Sequence, residues 1–288
     1  MAYDIEQPYG PLIETTVRVA SWNVWHRYGP WREREPAIVA TLREAAPDVV
    51  VLVEAWEDDE ASQAARFAGE LGLPHTVFRV FPYGEGPDRS GLALLSRWPL
   101  GQVGRQWLAH QEGRLAHQEG RGEPTDSGLA LHARVDGPRG PLHVFGAALG
   151  WKLGHSAQRQ EQVRTLGAFV RQTAGHEAPA VVAGGFNAPP DSDEIRMLTG
   201  RTAVAAPDVV FYDAWETAGD GTAGYTWSRD NPWTRPVLWP DRRIDYVFSA
   251  WPRPGGAGHP VHCELLGRRP VDGVVPSDHY GVLADLRY

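Results

Sequence analysis

The amino-acid sequence predicts an α+β fold in which two packed sheets are covered by helices, and three observations carry that prediction. Strand-like segments outnumber helical ones. The helical segments fall between groups of strands rather than after every strand, which disfavours a single doubly wound sheet. Buried-strand patterns such as Asp48–Val53 (DVVVLV) lack alternation, as expected where both faces of a strand are covered. With 288 residues, 42% of them hydrophobic, the chain can bury a sizeable core. No composition shift marks a linker, so residues 1–288 are read as one domain.

Taken in order, Val17–Trp25 (VRVASWNVW) alternates like a strand and offers Asn23 before a turn-like HRYGP. Glu33–Ala45 places Ile38, Leu42 and Ala45 at helical spacing, and Pro47 ends it. Asp48–Val53 follows as a strand with Glu54 at its end, where a carboxylate is costly unless solvated, hydrogen bonded or cation-bound. Ala61–Leu71 predicts a helix, and His75–Val80 and Gly91–Leu95 predict strands. The heptapeptide LAHQEGR occurs at Leu108–Arg114 and again at Leu115–Arg121. Two copies are too few for a solenoid. An enlarged hairpin loop fits them better than a metal site built from His110 and His117.

Leu129–Val135 and Leu142–Ala148 predict an antiparallel pair around a DGPRG turn, followed by a helix with Ser156 near its N-cap. In VVAGGFNAPP, from Val181, an apolar strand stops at Gly184 and Gly185, and Asn187 is presented before Pro189 and Pro190. Asp193–Thr199 reads as a short helix. Val209–Trp215, Tyr225–Trp227, Arg243–Phe248 and Gly281–Leu286 read as strands, the last preceded by PSDHY.

Composition narrows the function. A formal charge of -8 argues against a long phosphate-gripping surface, so duplex nucleic acid is not the expected partner. The single cysteine, Cys263, excludes an internal disulfide and a multi-thiolate metal site and points to a reducing compartment. No segment resembles a signal peptide or a membrane span, so a cytoplasmic protein without a membrane partner is expected. Twelve tryptophans supply core or cleft walls without identifying a ligand.

Asn23, Glu54, Asn187, Asp245, Asp278 and His279 all sit at predicted strand ends. Any one of them alone reads as a cap or turn residue. As a set they offer hard oxygen donors for a divalent cation and an imidazole for an oxyanion, which favours a site.

The sequence resembles the endonuclease/exonuclease/phosphatase superfamily of metal-dependent phosphoesterases. The likeness rests on SWNVW, PDVVVLVEAW, GLALLSRWPL, SAQRQEQV, GGFNAPPDSDEIR, DRRIDYVF and PSDHYGVLADL, seven blocks in family order. It implies a four-layer α/β/β/α sandwich, two central, mostly antiparallel sheets flanked by helices, with a cleft at the sheet rim. It implies Mg2+, or Mn2+ in its place, with Glu54 as main ligand and Asn23 and Asp278 near the metal or its waters. Asn187 would orient the nucleophile or phosphate, Asp278 would polarise His279, and His279 would contact the scissile phosphate. Asp245 would be a cleft carboxylate with Arg243 beside it. His155 and Arg159, at the start of a helix, and Trp25 and Trp56, at the rim, are candidate substrate contacts, although solvated and packing roles are the ordinary ones for such positions.

Two positions depart from the family pattern: Gly185 stands where an aspartate is expected, and Ala148 where a histidine is expected. Three readings follow. The chain is a phosphoesterase acting on a small phosphorylated or anionic molecule, its missing groups removed by mutation or replaced by His26, His155 or a metal-bound hydroxide. Alternatively, it is a descendant catalysing different small-molecule chemistry in a tryptophan-lined cleft, or a catalytically silent binding module.

Overall fold

The computed structural model describes residues 6–82, 87–108, 128–175, 178–250 and 253–288. Apart from Leu108, the duplicated heptapeptide lies outside them, and with it His110 and His117. In chain order the elements are β1 (Thr16–Asn23), α1 (Trp31–Ala45), β2 (Val49–Glu57), α2 (Gln63–Leu71), β3 (His75–Val80) and β4 (Arg89–Ser96). β5 (Leu100–Leu108), β6 (Gly128–Gly137), β7 (Gly140–Ala148), α3 (Ser156–Ala174), β8 (Ala180–Gly185) and α4 (Asp193–Leu198) follow. β9 (Phe211–Asp213), α5 (Ala214–Ala218), β10 (Asp245–Ala250), β11 (Pro260–Leu266) and β12 (Gly281–Arg287) complete them.

The strands form two six-stranded sheets, ordered β11-β12-β1-β2-β4-β3 and β5-β6-β7-β8-β10-β9. Pairing is antiparallel except for β1 with β2 and β7 with β8. Side chains alternate across a strand, so each sheet contributes to two cores. Val19, Val51, Leu94 and Val282 of the first sheet meet Leu131, Val144, Ala183 and Val247 of the second. On the outer face of the first sheet, Ala20, Trp22 and Leu52 pack with Ile38 and Leu42 of α1 and Phe67 of α2. On the outer face of the second, Phe145, Val182 and Phe248 pack with Val163 and Leu166 of α3 and Ile195 of α4. Three cores between four layers give the α/β/β/α sandwich.

Four local expectations are corrected. β5 and β11 are strands that patterning left unmarked. Both are sheet edges with exposed or half-buried positions, where alternation is weak. Tyr225–Trp227 is not a strand but contributes an isolated bridge, Trp227 opposite Arg242. β2 continues through Glu54 to Glu57, because the extra residue is absorbed in a bulge between Val53 and Ala55. The Pro-Gly punctuation around β8 has unequal meaning. Gly184 has φ +148°, and a Cβ there would sit 1.8 Å from the Ala147 carbonyl oxygen, so only glycine fits.

The second sheet also carries a pH-sensitive pair. His132 and His143 stack in its outer core, with Nε2 of one 2.9 Å from Nδ1 of the other. Burial, followed by the neighbouring His143, pushes the His132 imidazole down to about 4. The folded state therefore keeps it neutral while the unfolded chain protonates near its ordinary value, so stability is full above about pH 6.5 and declines as pH falls toward 4. We expect a loss on the order of 2 kcal/mol across that window. Chemical denaturation at pH 7 and pH 4.5 checks it, and His132→Leu should flatten the difference.

Candidate functional site

The rim of the sandwich opens into a cleft of about 650 Å³ whose lining includes Asn23, Glu54, Asn187, Asp245, Asp278 and His279. All six strand-end residues of the sequence set therefore converge. β1 and β2 run parallel with Asn23 beside Val53, so Asn23 and Glu54 emerge together. The Asn23 amide donates to Glu54 Oε1 at 2.9 Å, and its Oδ1 accepts from the Trp25 backbone N–H at 2.8 Å. Glu54 (φ 57°), Asn187 (φ 55°), Trp25 (φ 57°) and His26 (φ 40°) all occupy the left-handed region. Such non-glycine residues concentrate where a site demands a particular side-chain direction.

Two buried anchors hold these loops. The Arg34 guanidinium of α1 donates to the carbonyls of Val24, Trp25, His26 and Pro276, joining the β1 loop to the segment before β12. Ser277 Oγ donates to the Asn23 carbonyl at 2.7 Å, and the Asn231 amide donates to the Ser277 and Asp278 carbonyls. Asp278 and His279 are thereby fixed against the first sheet. Asn187 donates to the Leu149 carbonyl at 2.8 Å, which commits its amide nitrogen and leaves its oxygen available.

The partner of His279 is Asp245, not the adjacent Asp278. Asp245 Oδ2 lies 2.7 Å from His279 Nδ1, while Asp278 Oδ1 lies 3.3 Å from the Ser277 hydroxyl. Asp278 and His279 lie in a bend ahead of β12, and the carboxylate that reaches the ring comes from β10 of the other sheet. Burial alone would depress the His279 imidazole, but Asp245, Asp278 and Glu54 outweigh it and lift it to about 9. His279 is accordingly a cation at neutral pH. Burial pushes the Asp278 carboxyl up to about 7; the His279 charge opposes this and Glu54 reinforces it.

Four expected substrate contacts lie elsewhere. Arg243 is buried in an ion pair with Asp213, which also caps α5, and it lines a neighbouring cavity instead of the cleft. Replacing Arg243 with Met would strand the Asp213 charge and should cost about 3–5 kcal/mol, read as a shift in denaturation midpoint. Trp56 is buried and donates to Glu35 Oε1 at 2.8 Å, away from the cleft. His155 stands half-buried at the N-cap of α3 and is not part of the lining. Arg159, beside it, is buried against Glu194 at 2.7 Å. Trp25 does line the cleft.

Sequence reasoning missed Arg242, Trp239 and Asp88, which also line the cleft with His26, Trp151 and Trp227. Arg242 and Arg243 are adjacent, and which of them faces the cleft depends on a one-residue register that only the Trp227 bridge sets.

Ala148 and Gly185 sit side by side, paired across β7 and β8, and both line the cleft. Gly185 has no conformational need for glycine. A Cβ there would meet Asp245 Oδ1 at 3.4 Å and Val53 Cγ1 at 3.9 Å, which are ordinary contacts.

Among the described residues no three of His, Cys, Asp and Glu close into a metal cage. Glu54 and Asp278 instead bring carboxylate oxygens to the cleft lining beside Asn23, whose amide oxygen accepts from the Trp25 backbone N–H. One observation fits a cation there: Glu54 adds to the cost of charging the buried Asp278 carboxyl. An open oxygen set completed by water suits a hard divalent ion.

Comparison with known proteins agrees with this geometry. A Drosophila melanogaster protein named "Putative neutral sphingomyelinase" is 25% identical over 293 residues, covering 96% of this chain and 62% of its own length. The chain thus spans less than two thirds of that relative. A solved endonuclease/exonuclease/phosphatase from Beutenbergia cavernae DSM 12333 superposes with a TM-score of 0.70 at 26% identity, covering 95% of this chain and 72% of the other. D. rerio TDP2, solved with a single-strand DNA product, shares the fold with a TM-score of 0.70 at 18% identity over 96% of this chain and 100% of its own. The family model described as Endonuclease/Exonuclease/phosphatase family matches residues 20–279, and the chain belongs to that family.

Proposed function

We propose that the cleft acts on a small phosphorylated or otherwise anionic molecule, as a phosphoesterase whose hydrolytic apparatus departs from the family pattern at Gly185 and Ala148. The observation that carries this reading is the buried Asp245–His279 pair facing the open oxygen set of Glu54, Asp278 and Asn23 in one cleft. A protonated imidazole held by a carboxylate places fixed positive charge where a phosphoryl oxygen gains negative charge. Asp245 holds Nδ1, so Nε2 is the ring nitrogen available to a ligand. Glu54 and Asp278, with Asn23, would hold Mg2+ or Mn2+. The bound ion would neutralise charge on the phosphoryl oxygens.

Asn187, its amide nitrogen tied to Leu149, offers its oxygen to orient a water. Trp25, Trp227 and Trp239 give the cleft apolar walls, which suit a small organic ligand. His26 lines the same cleft 3.6 Å from Asp88 and is its second imidazole beside His279.

The charge of -8 supports a small ligand over duplex DNA. The lone, buried Cys263 supports a reducing, cytoplasmic location. No helix among the described residues is long and apolar enough to cross a membrane.

The test is a panel of small phosphomonoesters and diesters, with sphingomyelin included because of the Drosophila relative's name, assayed with Mg2+ for phosphate release and by mass spectrometry. Hydrolysis of a small ester is the expected result. Plasmid DNA cleaved at nuclease-like rates, or product formed without hydrolysis of any phosphate ester, would overturn the reading.

A further inference from the structure

Of two adjacent arginines, one is locked and the other is not. Arg243 is held by Asp213. Arg242 is only 9% exposed, yet its side chain has no ion pair or hydrogen bond among the described residues, and its Nε is a buried donor without an acceptor. Burial and the repulsion of Arg159 disfavour its charge, and the carboxylate that attracts it, Asp245, is already bonded to His279. The guanidinium's described contact is the ring of Trp239, 5.3 Å from its centroid.

A buried guanidinium without a counter-charge is strongly unfavourable, and a ligand anion is what would compensate it. Directly opposite, across the isolated bridge, Trp227 exchanges both backbone hydrogen bonds with Arg242, so the two side chains leave the same face. Trp227 is 8% exposed, and its indole N–H is also a buried donor without an acceptor. Both residues line the cleft that holds His279, and the Trp227 ring lies edge-on to the His279 imidazole at 5.1 Å.

We propose that Arg242 and Trp227 form an anion subsite of the cleft, which grips the phosphoryl oxygens of a small ligand independently of the metal-holding carboxylates. A guanidinium fork and an indole N–H are donors only, and a tetrahedral oxyanion supplies the acceptors that both lack. Arg242 also lines a second cavity of about 590 Å³ bounded by Pro189, Trp215 and Tyr225. Because Arg242 lines both cavities, the ligand's remainder can extend toward the second while its phosphoryl group stays beside His279. The inference rests on the phosphoryl-ligand reading above, but what it predicts is binding.

The test is thermal-shift titration of the full chain with inorganic phosphate, in EDTA so that no metal bridges the anion, against chloride at equal ionic strength. Wild-type protein is expected to show saturable stabilisation. Arg242→Met should weaken phosphate binding by at least about tenfold, and Trp227→Phe by about threefold to tenfold. Arg242→Met should also match or exceed the wild-type melting temperature without phosphate, because it removes an uncompensated buried charge. Arg242→Lys, which keeps the charge and loses the fork, should fall between Met and wild type. Wild-type affinity in Arg242→Met, or absence of any phosphate response in the wild type, would overturn the subsite. Should Arg242→Met fail to fold, wild-type affinity in both Arg242→Lys and Trp227→Phe would do the same. Phosphate binding through Arg242 without turnover of any ester would uphold this inference while sinking the enzymatic reading. Turnover that needs Glu54, with phosphate binding indifferent to Arg242, would do the reverse.

Discussion

Gly185→Asp is expected to raise phosphodiester hydrolysis in Mg2+ by about 10²–10⁴-fold, the usual contribution of a positioned general base. The backbone permits the change. Gly185 has no left-handed φ, and its missing Cβ would make ordinary contacts with Asp245 and Val53. A carboxylate there would stand beside the unpartnered Asp245 Oδ1, and the His279 cation nearby offsets the added negative charge. Ala148→His, its neighbour across β7 and β8, is expected to add to the gain, because a donor beside the phosphoryl group acts on the same developing charge. Steady-state kinetics of the single and double variants check both. An unchanged rate in the double variant would mean that the cleft has been remodelled for other chemistry.

Asp245→Asn should lower turnover of the best substrate by about 10²–10³-fold, and it should depress the imidazole more than Asp278→Asn, which removes a neighbouring charge but not the hydrogen bond. Asp245 is the group that fixes His279 Nδ1, and its charge helps to hold the ring protonated. Without that charge, burial depresses the imidazole, and the fixed cation facing the phosphoryl group is lost. NMR titration of the His279 ring gives a readout that a merely structural role would not move. It should titrate well below its wild-type value in Asp245→Asn, with the melting temperature changed only modestly. An unshifted ring would contradict the pairing.

Much of this site was legible in the sequence because its members end or interrupt strongly apolar segments. Asn23, Glu54, Asn187, Asp245, Asp278 and His279 each interrupt a pattern that a core strand would otherwise continue, and the structure places all six around one cleft. The four layers were legible for the same reason: unbroken runs such as VVVLV mark strands with a core on each face. Edge strands were not legible, since β11 has only one strand neighbour and several exposed positions. Pairings between residues distant in the chain were also out of reach. Asp278 is adjacent to His279 in sequence, yet Asp245, 34 positions away, makes the bond. Arg243 reads as a cleft residue because the irregular lead-in to β10 hides which of two arginines faces inward, and Trp56 reads as a rim residue because the apolar run of β2 ends at Glu54. Buried ion-pair partners decide such cases, and no local pattern records them.

The most direct measurement is kcat/KM for the best small phosphate ester with Mg2+, compared between wild type and Glu54→Ala. Glu54 anchors the open oxygen set, lines the cleft and accepts from Asn23. Catalysis in this cleft predicts detectable wild-type turnover and a fall of at least about 10²-fold in the variant, with the fold retained. Wild-type turnover that persists unchanged in Glu54→Ala, or ligand binding without turnover of any ester, would contradict it.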